Sequence, residues 1–278
     1  MEVKELIDIL HKSGQLSKNK WIELLKNHTN VDRLYAAKLA RQIGDERYGK
    51  TVYIRGLIEF TNYCKNNCLY CGIREGNRNV VRYRLEKSQI IECVNLGYKL
   101  GFRTFVLQGG EDMHISDDWY VDVITSIKEL YSDCAITLSI GERTKESYKR
   151  FYDAGADRYL LRHETATKEH YSKLHPNNLT LDNRMRCLYD LKDIGYQVGC
   201  GIMVGSPFQT IECIAKDMIF MQEFKPNMVG IGPFIPHKDT PFKDKEAGSY
   251  ELTLFLLSLT RIMLPNVLLP ATTALGTI

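Results

Sequence analysis

Short apolar or β-branched runs alternate with amphipathic stretches along most of this chain, a pattern that points to parallel strands joined by right-handed helical crossovers. The strand candidates are residues 52–60, 104–109, 135–140, 158–164, 198–204, 228–234 and 268–273. Helical spacing marks 88–100, 119–131, 145–154, 181–194, 210–224 and 250–263 between them. Seven such units is one short of the eight that close a barrel, and the sequence stops at Ile278, directly after the seventh strand. The expected fold class is therefore α/β, a (β/α)8 TIM-barrel type lacking its last β/α unit. Ahead of it, Leu6, Ile9 and Leu10 recur at helical spacing, Ser17 can cap a second helix, and Trp21, Leu24 and Leu25 repeat the pattern. Residues 1–50 are thus expected as an N-terminal helical cap and residues 51–278 as the barrel, since no Pro-, Gly- or Ser-rich linker divides the chain.

Composition narrows the partners. Against 37 basic side chains stand 34 acidic ones, and no Lys/Arg run resembles a nucleic-acid footprint or a membrane-surface patch. A small-molecule substrate is the expectation, with no nucleic acid and no membrane. The N-terminus is charged from Glu2 and lacks the apolar core of a signal peptide, so the chain is expected in the cytoplasm. There thiols stay reduced, and clustered cysteines point to metal or redox chemistry rather than disulfides.

Such a cluster exists. Cys64-Lys65-Asn66-Asn67-Cys68-Leu69-Tyr70-Cys71 places three cysteines at C-x3-C-x2-C spacing directly after the first strand, on what is the catalytic face of a parallel barrel. Three thiolates on one short loop can hold three irons of a cubane and leave the fourth open to a cofactor. Zinc is the bland alternative, but a structural zinc site is closed by four ligands, and no nearby His or second C-x2-C pair supplies them. Cys93, Cys134, Cys187, Cys200 and Cys213 are scattered singly and read as small buried hydrophobes.

Alternate residues of a barrel strand point into its lumen. By parity Arg55, Leu57 and Glu59 share one side, as do Thr137 and Ser139, and Leu160, Arg162 and Glu164. A lumen carrying Arg55, Arg162 and Glu164 suggests a polar or anionic ligand, with an internal Arg–Glu network as the other reading. Gly199, Gly201, Gly205, Gly230 and Gly232 permit close backbone approach by a ligand, though turns or bulges explain them nearly as well.

The cysteine spacing, with an aromatic residue before the last Cys, resembles the motif of the radical S-adenosylmethionine (radical SAM) superfamily. Gln108-Gly109-Gly110-Glu111 is similar to that superfamily's Gly-Gly-Glu segment, whose backbone meets the methionine amino group of SAM. Within the superfamily, Tyr53-Ile54-Arg55-Gly56, Gln108-Gly109-Gly110-Glu111-Asp112, Tyr159-Leu160-Leu161-Arg162-His163-Glu164-Thr165-Ala166, Met228-Val229-Gly230-Ile231-Gly232-Pro233-Phe234-Ile235-Pro236-His237 and Pro270-Ala271-Thr272-Thr273-Ala274 resemble HydE, the FeFe-hydrogenase maturase family. The resemblance implies a 4Fe-4S cluster on Cys64, Cys68 and Cys71, Tyr70 beside the adenine, Glu164 and Arg184 holding SAM, and Met228 flanking it. It also implies reductive cleavage of SAM to a 5′-deoxyadenosyl radical. That radical would act on a sulfur-bearing substrate, a cysteine-bound iron complex with carbonyl and cyanide ligands. The implied lumen contacts are Arg55, Gln108, Thr137, Ser139, Arg162, Thr272 and Thr273. The implied partners are an electron donor such as ferredoxin or flavodoxin and other hydrogenase maturases. Chains of this family continue past the last residue here, so a chain shortened at its C-terminus is preferred over a seven-stranded enzyme.

Two other readings stand beside this one. A methylornithine synthase-like lysine mutase shares the cluster loop, but Arg55, the Arg162-His163 pair and the Thr272-Thr273 pair look like the maturase. Biotin synthase is more distant, because no inward set of cysteines accompanies the loop. From another class, a non-enzymatic iron–sulfur scaffold or electron carrier would also cluster cysteines, usually with a fourth protein ligand. His114 reads as a solvated loop residue, and Lys18, Lys20 and Lys26 as a solvated helix face.

Overall fold

The computed structural model of the chain describes residues 1–276. Three helices come first: α1 (Val3–Ser13), α2 (Lys18–Asn27) and α3 (Asn30–Tyr48). Then follow β1 (Gly56–Thr61), α4 (Lys87–Lys99), β2 (Thr104–Gly109), α5 (Asp117–Leu130), β3 (Ala135–Ser139), α6 (Lys145–Asp153) and β4 (Arg158–Leu160). The chain goes on through α7 (Lys168–Leu174), α8 (Leu181–Ile194), β5 (Gln197–Val204), α9 (Ile211–Phe224), β6 (Met228–Pro233) and α10 (Tyr250–Met263). The strands form one parallel sheet in chain order, β1 through β6, as the alternation of strand and helix dictates.

Parity sorts the two faces of this sheet. Ile58, Phe60, Phe105, Leu107, Ile136, Leu138, Val198, Cys200, Val229 and Ile231 point outward and are buried against the helices. Their neighbours Leu57, Gln108, Thr137, Arg162 and Gly230 point inward and line a common cavity. The result is a partial barrel with a continuous apolar layer between sheet and helices and a lumen that mixes polar and apolar side chains.

The N-terminal helices, expected as a cap, lie against α9 and α10. Trp21 is fully buried there, and Gln222 of α9 accepts from the Leu16 N–H at 2.9 Å and the Trp21 indole at 3.4 Å. The ring of His28 stacks on Phe255 of α10, and Tyr48 donates to the Asn266 carbonyl at 2.6 Å. No described helix is long and apolar enough to cross a membrane.

Three strand boundaries differ from expectation. Residues 52–55 do not pair, and Val52, Tyr53 and Ile54 stay exposed, so β1 begins at Gly56. Beyond Leu160 the backbone leaves the ladder, reaches φ +63° at Glu164 and keeps only one bridge, Glu164 to Ile202. The seventh strand, expected at 268–273, is a single bridge between Met228 and Leu268 followed by a 3-10 turn at Thr273–Gly276. Pro270 has no N–H to extend that ladder. Among the described residues the sheet therefore has six strands, with β1 and β6 at its edges.

Candidate active site

The three cysteines stand on the 62–86 segment between β1 and α4, which forms no helix and only one bridge, Thr61 to Arg84. Its shape comes from polar bracing. The Arg82 guanidinium donates to the carbonyls of Asn62, Ile73 (2.8 Å), Arg74 (2.7 Å) and Asn77 (3.3 Å), stitching both ends of the cysteine loop to one side chain. Asp112 fixes the segment to β2, accepting from Arg84 at 2.5 and 2.9 Å and from Thr61 at 2.9 Å. Burial alone would raise the Asp112 carboxyl, but these bonds and the His114 N–H outweigh it and hold the group below the usual carboxylate range.

Cys64, Cys68 and Cys71 are half-buried free thiols. Desolvation, with Cys71 alongside, pushes Cys68 up to about 12, and burial also raises Cys64 and Cys71. Among the described residues no three His, Cys, Asp or Glu side chains are grouped to hold a single ion. A cubane asks for something different, one thiolate at each of three separate irons. Three desolvated thiols on one loop, ionised by the metal they bind, fit such a cluster. Of the other five cysteines, Cys134, Cys187, Cys200 and Cys213 are buried as expected, whereas Cys93 is exposed on α4.

Gly109 and Gly110 end β2 under this loop. A Cβ on Gly110 would lie 2.2 Å from the Tyr63 carbonyl oxygen and 2.7 Å from Cys64 Cβ, so only glycine lets the loop seat. Glu111 extends the seam: its carbonyl accepts from the Lys65 N–H at 3.0 Å, and its carboxylate accepts from the Glu142 N–H at 2.9 Å.

Tyr70 is aimed by a residue that sequence patterns did not reveal. His175, just past α7, donates from Nδ1 to the Tyr171 carbonyl (2.9 Å), which leaves Nε2 to accept from the Tyr70 hydroxyl at 3.0 Å. Burial lowers His175 to about 4, so the ring stays neutral and keeps that acceptor. Arg184 of α8 is buried and anchored by Glu142, Nε to Oε1 2.6 Å, and by the Arg162 carbonyl at 2.9 Å. Glu164 is also buried and accepts from Arg162 at 2.9 Å. Tyr70, Cys68, Glu164 and Arg184 lie close enough for their charges to act on one another. Glu142 and His175 carry no spacing signature, and α7 spans only seven residues, too short to display a helical period.

A cavity of about 740 Å³ occupies the lumen, lined by Arg55, Gln108, Thr137, Arg162, Thr272 and Thr273 among others, and Arg162 joins it to Glu164. Two of its polar atoms are buried without a hydrogen-bond partner, Thr137 Oγ1 and Arg162 Nε. Arg55 is desolvated in the same space. Unsatisfied donors around a polar void are what an anionic or hydrogen-bonding ligand would complete. Gln108 donates to Glu59 at 3.0 Å. Ser139 pairs with Gln108 across β2 and β3 but does not line the cavity. Met228, implied by resemblance to flank SAM, opens β6 at the end of the sheet remote from the cysteine loop, with its sulfur 3.1 Å from an Arg55 nitrogen. Strand parity sends it into the lumen, but its position along the strand puts it at the floor.

The glycines expected to leave room are of two kinds. Gly230 opens onto the cavity. A Cβ on Gly201 would sit 2.0 Å from the Gly230 carbonyl, and one on Gly232 would meet Thr272 at 2.7 Å, so these two serve close packing instead.

Comparison with known proteins gives a consistent picture. The model of the radical SAM superfamily matches residues 58–221. The [FeFe] hydrogenase maturase subunit HydE of Thermotoga maritima is 48% identical over 241 residues, covering 87% of this chain and 68% of that protein. The 3-methylornithine synthase of Methanosarcina barkeri is 30% identical over 274 residues, 97% of this chain and 77% of that one. Among solved structures, methylornithine synthase superposes with a TM-score of 0.87 at 28% identity over 96% of this chain and 78% of its own. The maturase HydG, at 22% identity and a TM-score of 0.82, shares the fold; it matches 96% of this chain and 62% of its own length. This chain is a radical SAM enzyme and belongs to the HydE family.

Proposed function

We propose that the protein cleaves S-adenosylmethionine reductively and serves in the maturation of FeFe-hydrogenase. One juxtaposition carries the reading: three thiols with Tyr70, Glu164 and Arg184 beside them, and Arg162 joining Glu164 to a cavity that also holds Arg55. Kinship supports the maturation role, since the HydE relative at 48% identity is named for it.

In this reading Cys64, Cys68 and Cys71 hold the 4Fe-4S cluster. When bound, the cluster supplies the electron that splits SAM into methionine and a 5′-deoxyadenosyl radical. Tyr70 flanks the adenine, the Gln108-Gly109-Gly110 backbone meets the methionine end, and Glu164 and Arg184 hold SAM in place. Arg55, Thr137, Arg162, Thr272 and Thr273 take an anionic, sulfur-bearing substrate, for which a cysteine-bound iron carbonyl cyanide complex has the right charge. Guanidinium suits that role because its charge is permanent and its donors form a rigid fork. The reductant would be a ferredoxin or flavodoxin, the setting cytoplasmic, and the neighbours in the sequence of reactions other hydrogenase maturases.

The test is anaerobic. Protein reconstituted with iron and sulfide is reduced and given SAM, while the cluster's EPR spectrum and 5′-deoxyadenosine are followed. SAM is expected to perturb a 4Fe-4S signal, 5′-deoxyadenosine to accumulate, and Cys68→Ala to abolish both. The same protein should restore hydrogenase activation to a maturation mixture lacking HydE. A zinc protein, or a cluster indifferent to SAM, sinks the reading. The likeness to methylornithine synthase makes 3-methylornithine formation the second reaction to assay, and none is expected.

A further inference from the structure

Glu164 lies at φ +63°, a region that side chains seldom adopt. The Thr165 N–H closes onto the His163 carbonyl at 2.7 Å, giving the three-residue turn whose positive central φ is rare and strained. Such a conformation persists only where its surroundings over-determine it.

Here it is held from two sides. Toward the sheet, the Glu164 N–H donates to the Gly201 carbonyl at 3.0 Å, and the Gly201 N–H donates to His163 Nδ1 at 3.4 Å. From the helix layer comes Asp217 of α9, whose Oδ1 accepts from the Ala166 N–H. The His163 ring fills the space between, its Nε2 3.9 Å from Asp217 and its edge against Phe220. His163, Thr165 and Asp217 are all fully buried.

Packing does not ask for a carboxyl here. Asp217 sits on a helix face otherwise made of Ile214, Ala215, Met218 and Met221, none of which calls for a polar neighbour. Its hydrogen bond runs to Ala166, which closes the turn around Glu164. Burial keeps the carboxyl protonated well above the ordinary range, which makes asparagine its nearest mimic.

We propose that Asp217 is a positioning residue for S-adenosylmethionine, clamping the 163–166 turn from behind so that Glu164 is aimed at the cofactor beside Arg184 and Tyr70. The proposal rests on the reading of Glu164 as a contact to SAM.

The experiment uses cluster-reconstituted protein and reads SAM affinity from the perturbation of the reduced cluster's EPR signal, with iron content and thermal unfolding followed in parallel. Asp217→Leu, which takes the acceptor from the Ala166 N–H, is expected to unfold somewhat earlier than the parent but to stay folded and keep its iron, and to bind SAM about tenfold more weakly, the scale of one lost hydrogen-bonding contact. Asp217→Asn, which keeps an acceptor for Ala166, is expected to restore affinity. Asp217→Ala provides a second truncation if leucine overpacks. The decisive comparison is with Glu164→Ala, alone and combined: if Asp217 acts through Glu164, the double variant binds SAM no worse than Glu164→Ala. Additive losses, or parental affinity in both Asp217 truncations while Glu164→Ala is weakened, overturn the proposal and leave the site reading intact. Parental affinity in Glu164→Ala overturns both.

Discussion

At the scale of single residues, the tightest constraint on the cysteine loop comes from an absent side chain. Because a Gly110 Cβ would fall 2.2 Å from the backbone oxygen of Tyr63, Gly110→Ala must push the loop carrying Cys64 off β2. Overpacking of this kind costs about 1–3 kcal/mol, and here the strain is concentrated on the ligand loop. The expected outcome is a folded protein with the parental far-UV spectrum that retains markedly less iron and sulfide after reconstitution; parental iron content in Gly110→Ala shows that the loop can shift without losing the cluster. This glycine was visible in the sequence as part of a Gly-Gly-Glu segment, and the cysteines by their spacing, because both are local patterns. Glu142, His175 and Asp217 were not, since each works through a partner 42, 105 or 51 residues away. Met228 was named by resemblance alone, and resemblance says nothing about height along the strand, where the side chain meets Arg55.

At the scale of elements, the strands with buried outward faces and the long helices were legible because period and burial coincide. β2 and α8 have the expected boundaries, whereas the stretches at 52–55 and 268–273 look like strand, yet the first pairs with nothing among the described residues and the second only through Leu268. Composition reveals that a segment could be a strand; only the ladder decides that it is one. The 62–86 segment is the opposite case, an element ordered without regular structure. Its order depends on Arg82, whose four carbonyl contacts hold Asn62 to the 73–77 stretch across the cysteines. Hydrogen bonds to a charged donor are worth roughly 1.5–3 kcal/mol each, and the carbonyls left behind are partly shielded from water. Arg82→Ala is therefore expected to loosen the loop while sparing the barrel: limited proteolysis should cut between β1 and α4, cluster retention should fall several-fold, and the main thermal transition should hardly move. An Arg82→Ala protein whose loop resists protease as the parent does would show that Asp112 and the Thr61–Arg84 bridge suffice.

At the scale of the whole molecule, proton linkage ties the helix layer and the active face to one pH profile. His163, His170 and His175 are all lowered by burial, His163 to about 3 and His175 to about 4. In the unfolded chain each would titrate near 6.5, at about the ordinary imidazole value. Below that pH the unfolded chain binds protons that the native fold refuses, so stability falls as pH falls, by up to about 1.4 kcal/mol per pH unit for each histidine. Asp217 acts in the opposite sense. Its carboxyl is raised by burial, so from about pH 4 upward the native fold keeps a proton that the unfolded chain has released, and stability falls as pH rises toward the raised value. That slope opposes the histidines, but three of them stand against one carboxyl, so the net effect of acidification below about 6.5 is a loss of stability. Above about 6.5 the histidines contribute no slope, and stability falls with rising pH through Asp217 and, toward the ordinary thiol range, through the buried thiols that burial raises. Urea unfolding across this range should thus give a stability maximum close to pH 6.5, steep on the acid side and shallower on the alkaline side. Asp217→Asn should weaken the alkaline decline and steepen the acid limb, because the proton that opposed it is gone. A profile unchanged by Asp217→Asn would mean that the carboxyl is ionised in the native fold, and the buried pair with His163 would then have to be redrawn as an ion pair.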